Sequence, residues 1–285
     1  MAAMRLLVIG AAGMLGQDLT AAAEAAGHES IGWDLPEIDV TDAAAVGAGV
    51  RDLRPDAIVN CAAWTDVDGA EAQEGLATEI NATGAGHLAA AAAEHGALIV
   101  QLSTDYVFDG EATEPYTESA PTNPRSAYGR SKLAGEQAVA AAAPGAHAIV
   151  RSAWLFGAHG RNFVATMLRL AAERPEVTVV DDQVGCPTYT GHLAEALVEV
   201  AERRLTGTLH VAGSGSCSWW ELARTAFDRA GVECEVHRGR SADLDRPAPR
   251  PAFSVLVSER ADAPRLPDWR TGLDAYLAAT RAVTP

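Results

Sequence analysis

Lysine occurs once in this chain, at Lys132, and every other basic residue among the 22 Lys and Arg is arginine. It stands four residues after Tyr128, in Tyr128-Gly129-Arg130-Ser131-Lys132. Arginine substitutes for lysine at most surface sites. Its broad, forked guanidinium does not fit where a compact ammonium must approach a phenol and a ribose. On a helix, residues i and i+4 lie on one face. The spacing therefore predicts a phenol beside an ammonium, whose charge lowers the tyrosine pKa from its usual value of about 10 toward the working pH. A tyrosine tuned in this way serves as a general acid or base. Thr104, in Ser103-Thr104-Asp105, adds a hydroxyl able to polarise a carbonyl. The three side chains suit hydride chemistry. A nicotinamide gives hydride to a carbonyl carbon, Tyr128 gives the proton to its oxygen, and Thr104 holds that oxygen. Lys132 tunes the tyrosine and bonds the nicotinamide ribose.

These residues need a scaffold that delivers them to one place. Arg5–Ile9 is a short apolar run that leads into Gly10-Ala11-Ala12-Gly13-Met14-Leu15-Gly16 and then a helical stretch from Gln17 to Ala26. A glycine turn between strand and helix lets the backbone approach a pyrophosphate, which rests on helix N–H groups. Gly10, Ala12, Gly13, Met14 and Leu15 are accordingly the expected dinucleotide contacts. Glu29–Trp33 reads as a second strand ending at Asp34, where an acidic residue commonly holds the adenosine ribose. Asp39 and Val40 are expected to border the adenine. A third run, Ala57–Val59, leads to Asn60-Cys61-Ala62-Ala63-Trp64, which places Ala62, Ala63 and Trp64 at the cofactor. An alanine-rich helix is expected from Asn81 to His95, and Leu98–Leu102 is a fourth strand before Ser103 and Thr104. Residues 110–125 read as a loop, and the helix of Tyr128 and Lys132 precedes a strand at Ala148–Arg151.

Strands alternating with helices predict βαβ units and a parallel sheet. The expected fold is α/β: a Rossmann-type doubly wound sheet with a smaller mixed α/β substrate domain interleaved on the C-terminal side. Polar residues cluster just after strand ends, where open parallel sheets bind ligands. Residues 1–152 are expected to hold the dinucleotide and 153–285 mainly the substrate. Segments near 175–200 and 206–212 are expected to return to the first unit. Later elements are a helix around Asn162–Arg174, strands at Val177–Val180 and Thr208–Val211, and a helix over His192–Arg204. The Pro/Arg-rich segment 238–252 is read as irregular and mobile enough to close over a substrate.

Composition narrows the function. The 285 residues are 48% hydrophobic and 21% charged, with net charge 22 − 38 = −16. Nucleic acid and anionic membranes both demand a basic surface, so neither is an expected partner. No apolar run approaches the roughly 20 residues of a membrane span. A strand beginning at Arg5 leaves no room for a signal peptide. Cys61, Cys186, Cys217 and Cys234 are scattered and read as reduced thiols of a cytoplasmic protein, with no metal expected.

The glycine turn, Thr104 and Tyr128-x-x-x-Lys132 resemble the extended short-chain dehydrogenases/reductases. The resemblance is closer to one branch, the dTDP-4-dehydrorhamnose reductases. Its marks are Asn60 to Thr65 with Val67-Asp68-Gly69-Ala70-Glu71, Ser103-Thr104-Asp105-Tyr106-Val107-Phe108-Asp109-Gly110, and Tyr128-Gly129-x-Ser131-Lys132-Leu133-Ala134-Gly135-Glu136. Arg151 to Gly157, Asn162-Phe163, Asp182-Gln183-x-Gly185-x-Pro187-Thr188, Arg250-Pro251 and Ser254-Val255-Leu256 complete them. The resemblance implies that NADPH or NADH reduces the C4 ketone of dTDP-4-dehydro-β-L-rhamnose to give dTDP-L-rhamnose. It implies catalytic roles for Thr104, Tyr128 and Lys132, and substrate contacts for Thr104, Asp105, Trp154, Asn162 and Arg250. Arg250 and Arg246 are candidate cations for the diphosphate. Some relatives join subunits through magnesium. Asp18 is the nearest acidic match, and no such metal is predicted here. A monomer or homodimer is expected.

Three alternatives share the scaffold: a 4-ketoreductase of another dTDP-deoxysugar, such as one of the dihydrostreptose or antibiotic-sugar pathways; a non-catalytic NADP-binding module resembling the methionine adenosyltransferase β subunit; and a 4,6-dehydratase or 4-epimerase. Retention of Thr104, Tyr128 and the single lysine favours chemistry over a passive module. Asp105-Tyr106 stands where the dehydratases carry an Asp-Glu pair.

Overall fold

The computed structural model describes residues 2–283. β1 (Arg5–Ile9), α1 (Met14–Ala25), β2 (Glu29–Trp33), α2 (Ala43–Leu53) and β3 (Ala57–Asn60) open the chain. Two short helices, α3 (Val67–Ala72) and α4 (Glu74–Thr78), follow. A π-helical stretch, Glu79–Gly84, then runs into α5 (Ala85–His95). β4 (Leu98–Thr104), α6 (Ala127–Ala142) and β5 (His147–Ser152) complete the first half. The second half carries β6 (Leu155–Phe156), α7 (Phe163–Glu173), β7 (Glu176–Val180), β8 (Val184–Gly185), β9 (Thr188–Tyr189) and α8 (Thr190–Glu202). It ends with β10 (Gly207–His210), β11 (Cys217–Ser218), α9 (Trp219–Ala230), β12 (Glu235–Gly239) and α10 (Trp269–Val283).

The main sheet runs β10-β5-β4-β3-β1-β2, and its pairs are all parallel. Strands buried on both faces read as continuous apolar runs. In β1, Leu6 and Val8 face a core shared with α1 and α8, while Leu7 and Ile9 face one shared with α2, α5 and α6. The chain steps from β1 outward to β2, then back across β1 to β3. That reversal is the switch point at which such sheets open a ligand crevice.

The expected returning segments behave differently. Residues 206–212 supply β10, which pairs with β5. Val177 lies in β7, which pairs with β12 in a separate two-stranded sheet. The reason is coverage: β7 and β12 bury their apolar sides against α7 and α9 around Phe227 and Ala223. The segment 238–252 is also more ordered than its composition predicts. It holds the end of β12 and a 3-10 turn at Ser241–Asp243. Ser241 is tied to Asp182 and Gln183, and Arg250 to Asp68. The helix expected from Asn81 is preceded by α4 and begins as a π stretch. There the buried Asn81 side chain accepts from Trp64 N (2.8 Å) and donates to Ser131 Oγ (2.9 Å), bracing α6.

Candidate active site

A cavity of about 1150 Å³ lies at the carboxyl ends of β1, β3 and β4. Gly10 forms its first edge. It takes φ +77°, and a Cβ there would stand 2.8 Å from Ala62 N, so only glycine fits. A Cβ on Gly16 would meet Gly10 O at 2.1 Å, which is why α1 packs so tightly onto the turn. At the N-termini of α2, α3, α6, α7 and α9, the cap side chains of Asp42, Asp66, Ser126, Asn162 and Ser218 accept hydrogen bonds from first-turn backbone N–H groups. Gly13, the N-cap of α1, offers no side chain, and the first turn holds no acidic residue. Its N–H groups and positive dipole end therefore remain available to an anion at the cavity wall.

Of the residues expected at the cofactor, Gly10, Gly13, Met14, Leu15, Asp34, Asp39, Val40, Ala62 and Ala63 line this cavity. Ala12 and Trp64, also expected at the cofactor, are not among the lining residues. Ala12 N–H donates to Asp34 Oδ2 (2.9 Å), and Trp64 Nε1 donates to Asp66 O (2.9 Å). Asp34 Oδ1 accepts from Leu35 N, which fixes the carboxylate at the β2 end.

Thr104, Tyr128 and Lys132, the residues expected to react, also line the cavity. Ser126 caps α6 by accepting from Gly129 N (3.1 Å), which sets the start of the helix and hence the face of Tyr128 and Lys132. Thr104, at the end of β4, donates from Oγ1 to Asp105 Oδ1 (2.9 Å) and accepts from Tyr106 N (3.2 Å). Thr104 and Tyr128 both line the cavity, and the Thr104 hydroxyl is near enough to the phenol to favour its ionised form. Tyr106 stands edge-on to Tyr128, ring centroids 5.5 Å apart.

The electrostatics differ from the expectation in one respect. Apolar surroundings push the Tyr128 phenol up to about 12; the Thr104 hydroxyl opposes this and the Asp105 charge adds to it. Lys132 is not what lowers it. Its Nζ donates to Leu102 O (2.7 Å), so the ammonium points at the strand end rather than at the phenol. Burial pulls Lys132 itself down to about 8, against the opposing pull of Glu136 and Cys61. Tyr128 is therefore a protonated phenol at neutral pH, the form a proton donor requires.

Asp105 is buried, and desolvation lifts its carboxyl to about 6, with hydrogen bonds from Ser254, Thr104 and the local backbone pulling it back. Its Oδ2 and the Ser152 hydroxyl are buried without a partner of good geometry, and both residues line the cavity. Unsatisfied polar atoms at a cavity wall are the groups a bound ligand completes.

The opposite wall is aromatic. Trp154 and Trp219 stack at 3.6 Å and 5°. Trp154 has φ +49°, which is uncommon for a bulky residue and carries about 1–3 kcal/mol of strain where it occurs. Trp219 Nε1 donates to Gln183 Oε1 (3.1 Å), and Gln183 Nε2 donates to Ser241 Oγ (2.7 Å). This chain of contacts holds the wall from the second half of the molecule.

Asn162 and Arg250 lie away from this lining. Asn162 is spent as a cap: Oδ1 accepts from Ala165 N and Nδ2 donates to Gly157 O. Arg250 makes a forked ion pair with Asp68, both N···O distances 2.8 Å. It lines a smaller cavity of about 210 Å³ that shares Tyr106 with the larger one. Sequence reasoning passed over Tyr106, Trp219 and Arg161, all of which line the main cavity. Tyr106 had a signal, since it follows Asp105 directly. Trp219 and Arg161 reach the site only through tertiary packing. Asp18 accepts a hydrogen bond from Thr190 and stands 3.6 Å from His159.

A parallel doubly wound sheet, a glycine turn under an uncapped helix and a Thr-Tyr-Lys set at the next strand end define an extended short-chain dehydrogenase/reductase. Within that class the chain belongs to the family described as RmlD substrate binding domain, which matches residues 4–282. It is 46% identical to the dTDP-4-dehydrorhamnose reductase of Mycobacterium tuberculosis, over 96% of this chain and 93% of that protein. It is 43% identical to the dTDP-4-keto-6-deoxy-D-glucose reductase of Streptomyces niveus, over 94% and 95%. Among solved structures, the dTDP-4-dehydrorhamnose reductase of Bacillus anthracis in complex with NADP superposes with a TM-score of 0.95 at 37% identity, covering 98% of this chain and 100% of that one.

Proposed function

We propose that this enzyme reduces the C4 ketone of dTDP-4-dehydro-β-L-rhamnose to dTDP-L-rhamnose, with NADPH or NADH as reductant. The observation that carries the proposal is the Thr104–Tyr128 hydroxyl pair, set where the glycine-turn groove meets the Trp154–Trp219 wall. A dinucleotide fits the groove. The open N-terminus of α1 suits its pyrophosphate, Asp34 its adenosine ribose, and Asp39 and Val40 its adenine edge. The exposed Arg161 at the mouth supplies a cation beside α1. The bound nicotinamide supplies hydride.

The protein does the rest. Tyr128, protonated at neutral pH, gives its proton to the ketone oxygen as that oxygen gains charge. Thr104 holds the same oxygen and supports the phenolate left behind. Lys132, anchored on Leu102 O, presents its ammonium to the nicotinamide ribose. Asp105 and Ser152 offer buried polar atoms to the sugar, and Trp154 with Trp219 gives a flat face for its ring. Residues 1–152 hold the dinucleotide in this reading, and most of 153–285 the sugar nucleotide. Arg250 is at hand for the nucleotide end only if it releases or shares Asp68. Nothing in the reaction calls for a metal, nucleic acid or a membrane. Among the described residues no helix is long and apolar enough to cross one. We place the reaction in the cytoplasm, carried out by a monomer or homodimer.

The test is cofactor oxidation by the purified protein, with NADPH and NADH in parallel and dTDP-4-dehydrorhamnose made in situ from dTDP-glucose. Formation of dTDP-L-rhamnose is the expected result. A second reading, reduction of another dTDP-4-keto-6-deoxy sugar, is favoured by the Streptomyces niveus relative. It keeps every residue role and moves only the product. Cofactor binding without oxidation of either sugar type would overturn both.

A further inference from the structure

Behind the site, α6 carries a second charged group on the same face as its reactive pair. Glu136 follows Lys132 by one helical repeat, as Lys132 follows Tyr128, so the three share one face of α6. Both Lys132 and Glu136 are buried. The Glu136 carboxylate is gripped from the sheet. Arg151 on β5 forms a fork, Nε to Oε1 at 2.9 Å and Nη2 to Oε2 at 2.6 Å. Ser103 Oγ, one residue before Thr104, donates to Oε1 at 2.5 Å. Arg151 is itself fixed from β10. Both backbone carbonyls near His210 Nδ1, those of Tyr116 and Val257, lie within 3.1 Å, so Nδ1 carries the proton and Nε2 accepts from Arg151 Nη1 (3.5 Å). A buried ion pair is weak evidence for stability, because desolvation offsets its attraction. A fully hydrogen-bonded one placed a single turn beyond a buried lysine has another use.

We propose that Glu136, clamped by Arg151 and Ser103, is a positioning residue that keeps Lys132 charged, and that the Arg151 fork sets how much of the carboxylate's field reaches the ammonium. Lys132 lies in surroundings that favour its neutral form. Of the groups facing it, Glu136 on its own helix and Cys61 after β3 favour the charge. The Cys61 thiol is pushed up to about 12 by burial and stays neutral. Tyr128 is protonated, Asp105, Tyr106 and Glu79 share the cavity lining, and the Nζ hydrogen bond goes to Leu102 O. His210 is driven toward its neutral form by burial, so it adds no charge behind Arg151. Glu136 is thus, among the described residues, a buried carboxylate on the same face of α6 as Lys132, and Arg151 is its competitor.

The single lysine makes the test direct. The full chain is produced with no tag that contains lysine and with ε-13C-labelled lysine as the lysine source, which gives one resonance whose pH titration reports Lys132 without substrate or turnover. Its midpoint should fall by about one pH unit in Glu136→Gln. It should rise in Arg151→Met, which frees the carboxylate toward the ammonium; a purely structural role predicts no such opposite signs. If Glu136→Gln leaves Arg151 unpaired and fails to fold, Glu136→Gln with Arg151→Met removes both charges and should still titrate below the parent. The alkaline limb of kcat/KM for the 4-keto sugar should move with the resonance. An unchanged midpoint in the Glu136→Gln chain or the double variant overturns the proposal, as does a fall in Arg151→Met. The proposal deepens the reductase reading, but its failure is separable, since the resonance needs no substrate.

Discussion

The two walls of the cavity are built by opposite means. The polar wall comes from β3, β4 and α6, which are consecutive units of one parallel sheet. Its groups are placed by short-range rules: a strand end delivers Thr104, and i,i+4 spacing delivers Tyr128 and Lys132. The aromatic wall comes from residues that are far apart in sequence. Trp154 sits in a left-handed backbone conformation just past β5, and Trp219 starts α9 after the β11 bridge to β8. Gln183, itself bonded to Ser241, holds the Trp219 indole from one side, and the Phe163 ring packs against it at 4.5 Å. The comparison teaches a division of labour. In the proposed reaction the sheet-built wall would hold the reacting atoms, and the wall assembled across the second half would grip the part of the substrate that does not react. Changes to the first should appear in kcat, changes to the second mainly in KM.

The largest effect expected is from Tyr128→Phe, which removes one hydroxyl from the polar wall. Turnover should drop about 10²–10⁴-fold while NADPH affinity is kept. Steady-state kinetics and a fluorescence titration of NADPH check both halves, and near-normal turnover would remove Tyr128 as proton donor. Lys132→Arg comes next. The charge survives, but a guanidinium in a pocket shaped for an ammonium on Leu102 O should be displaced, with a loss of about 10²-fold. A fully active Lys132→Arg would mean that the lone lysine has no special fit.

Trp219→Ala sharpens the contrast from the other side. Loss of one indole from a stacked pair should raise KM for the 4-keto sugar about tenfold, consistent with roughly 0.5–1.5 kcal/mol for an aromatic pair. kcat should change less. If kcat falls as steeply as in Tyr128→Phe, the walls are not separable and the aromatic pair orders the reacting atoms too.

The same contrast explains what the chain discloses when read as a string. The central sheet, its strand ends and the Thr104, Tyr128 and Lys132 set are legible because local periodicity and turn chemistry determine them. The glycine turn is legible because Gly10 must take positive φ against Ala62. β7 was misplaced because its apolar alternation specifies a half-buried strand and not which strand it joins; α7 and α9 decided that. Asn162 and Arg250 carried residue types suited to a nucleotide, but type alone does not distinguish a ligand contact from a helix cap or an ion pair. Trp219 carried no local signal, since its role depends on a stack with a residue 65 positions earlier. Tyr128 and Lys132 both reach the cavity, but the expected lowering of the phenol is not found, because i,i+4 proximity says nothing about the Leu102 carbonyl that claims the ammonium.

The smallest effect concerns stability rather than rate, and its sign is the informative part. Asp105 has its carboxyl raised by burial from 3.8 to about 6 in the folded chain. The folded state thus binds more protons than the unfolded one between those values, and the slope of stability against pH is negative there. This group destabilises the fold above about pH 6, and the penalty disappears as pH falls toward 4. Asp105→Asn keeps the shape and an acceptor for Thr104 and removes the ionisation. Thermal unfolding at pH 7 should therefore rise, by a stability of roughly 1–3 kcal/mol, and the variant should match the parent more closely near pH 4. Turnover should fall, since a buried carboxylate retained at a cost in stability belongs to the functional side of that balance. A lower melting temperature at pH 7 would show that hydrogen bonds to the ionised Asp105, from Thr104 and Ser254, outweigh its desolvation. The polar wall would then be a stabilising element of the fold as well as the seat of the chemistry.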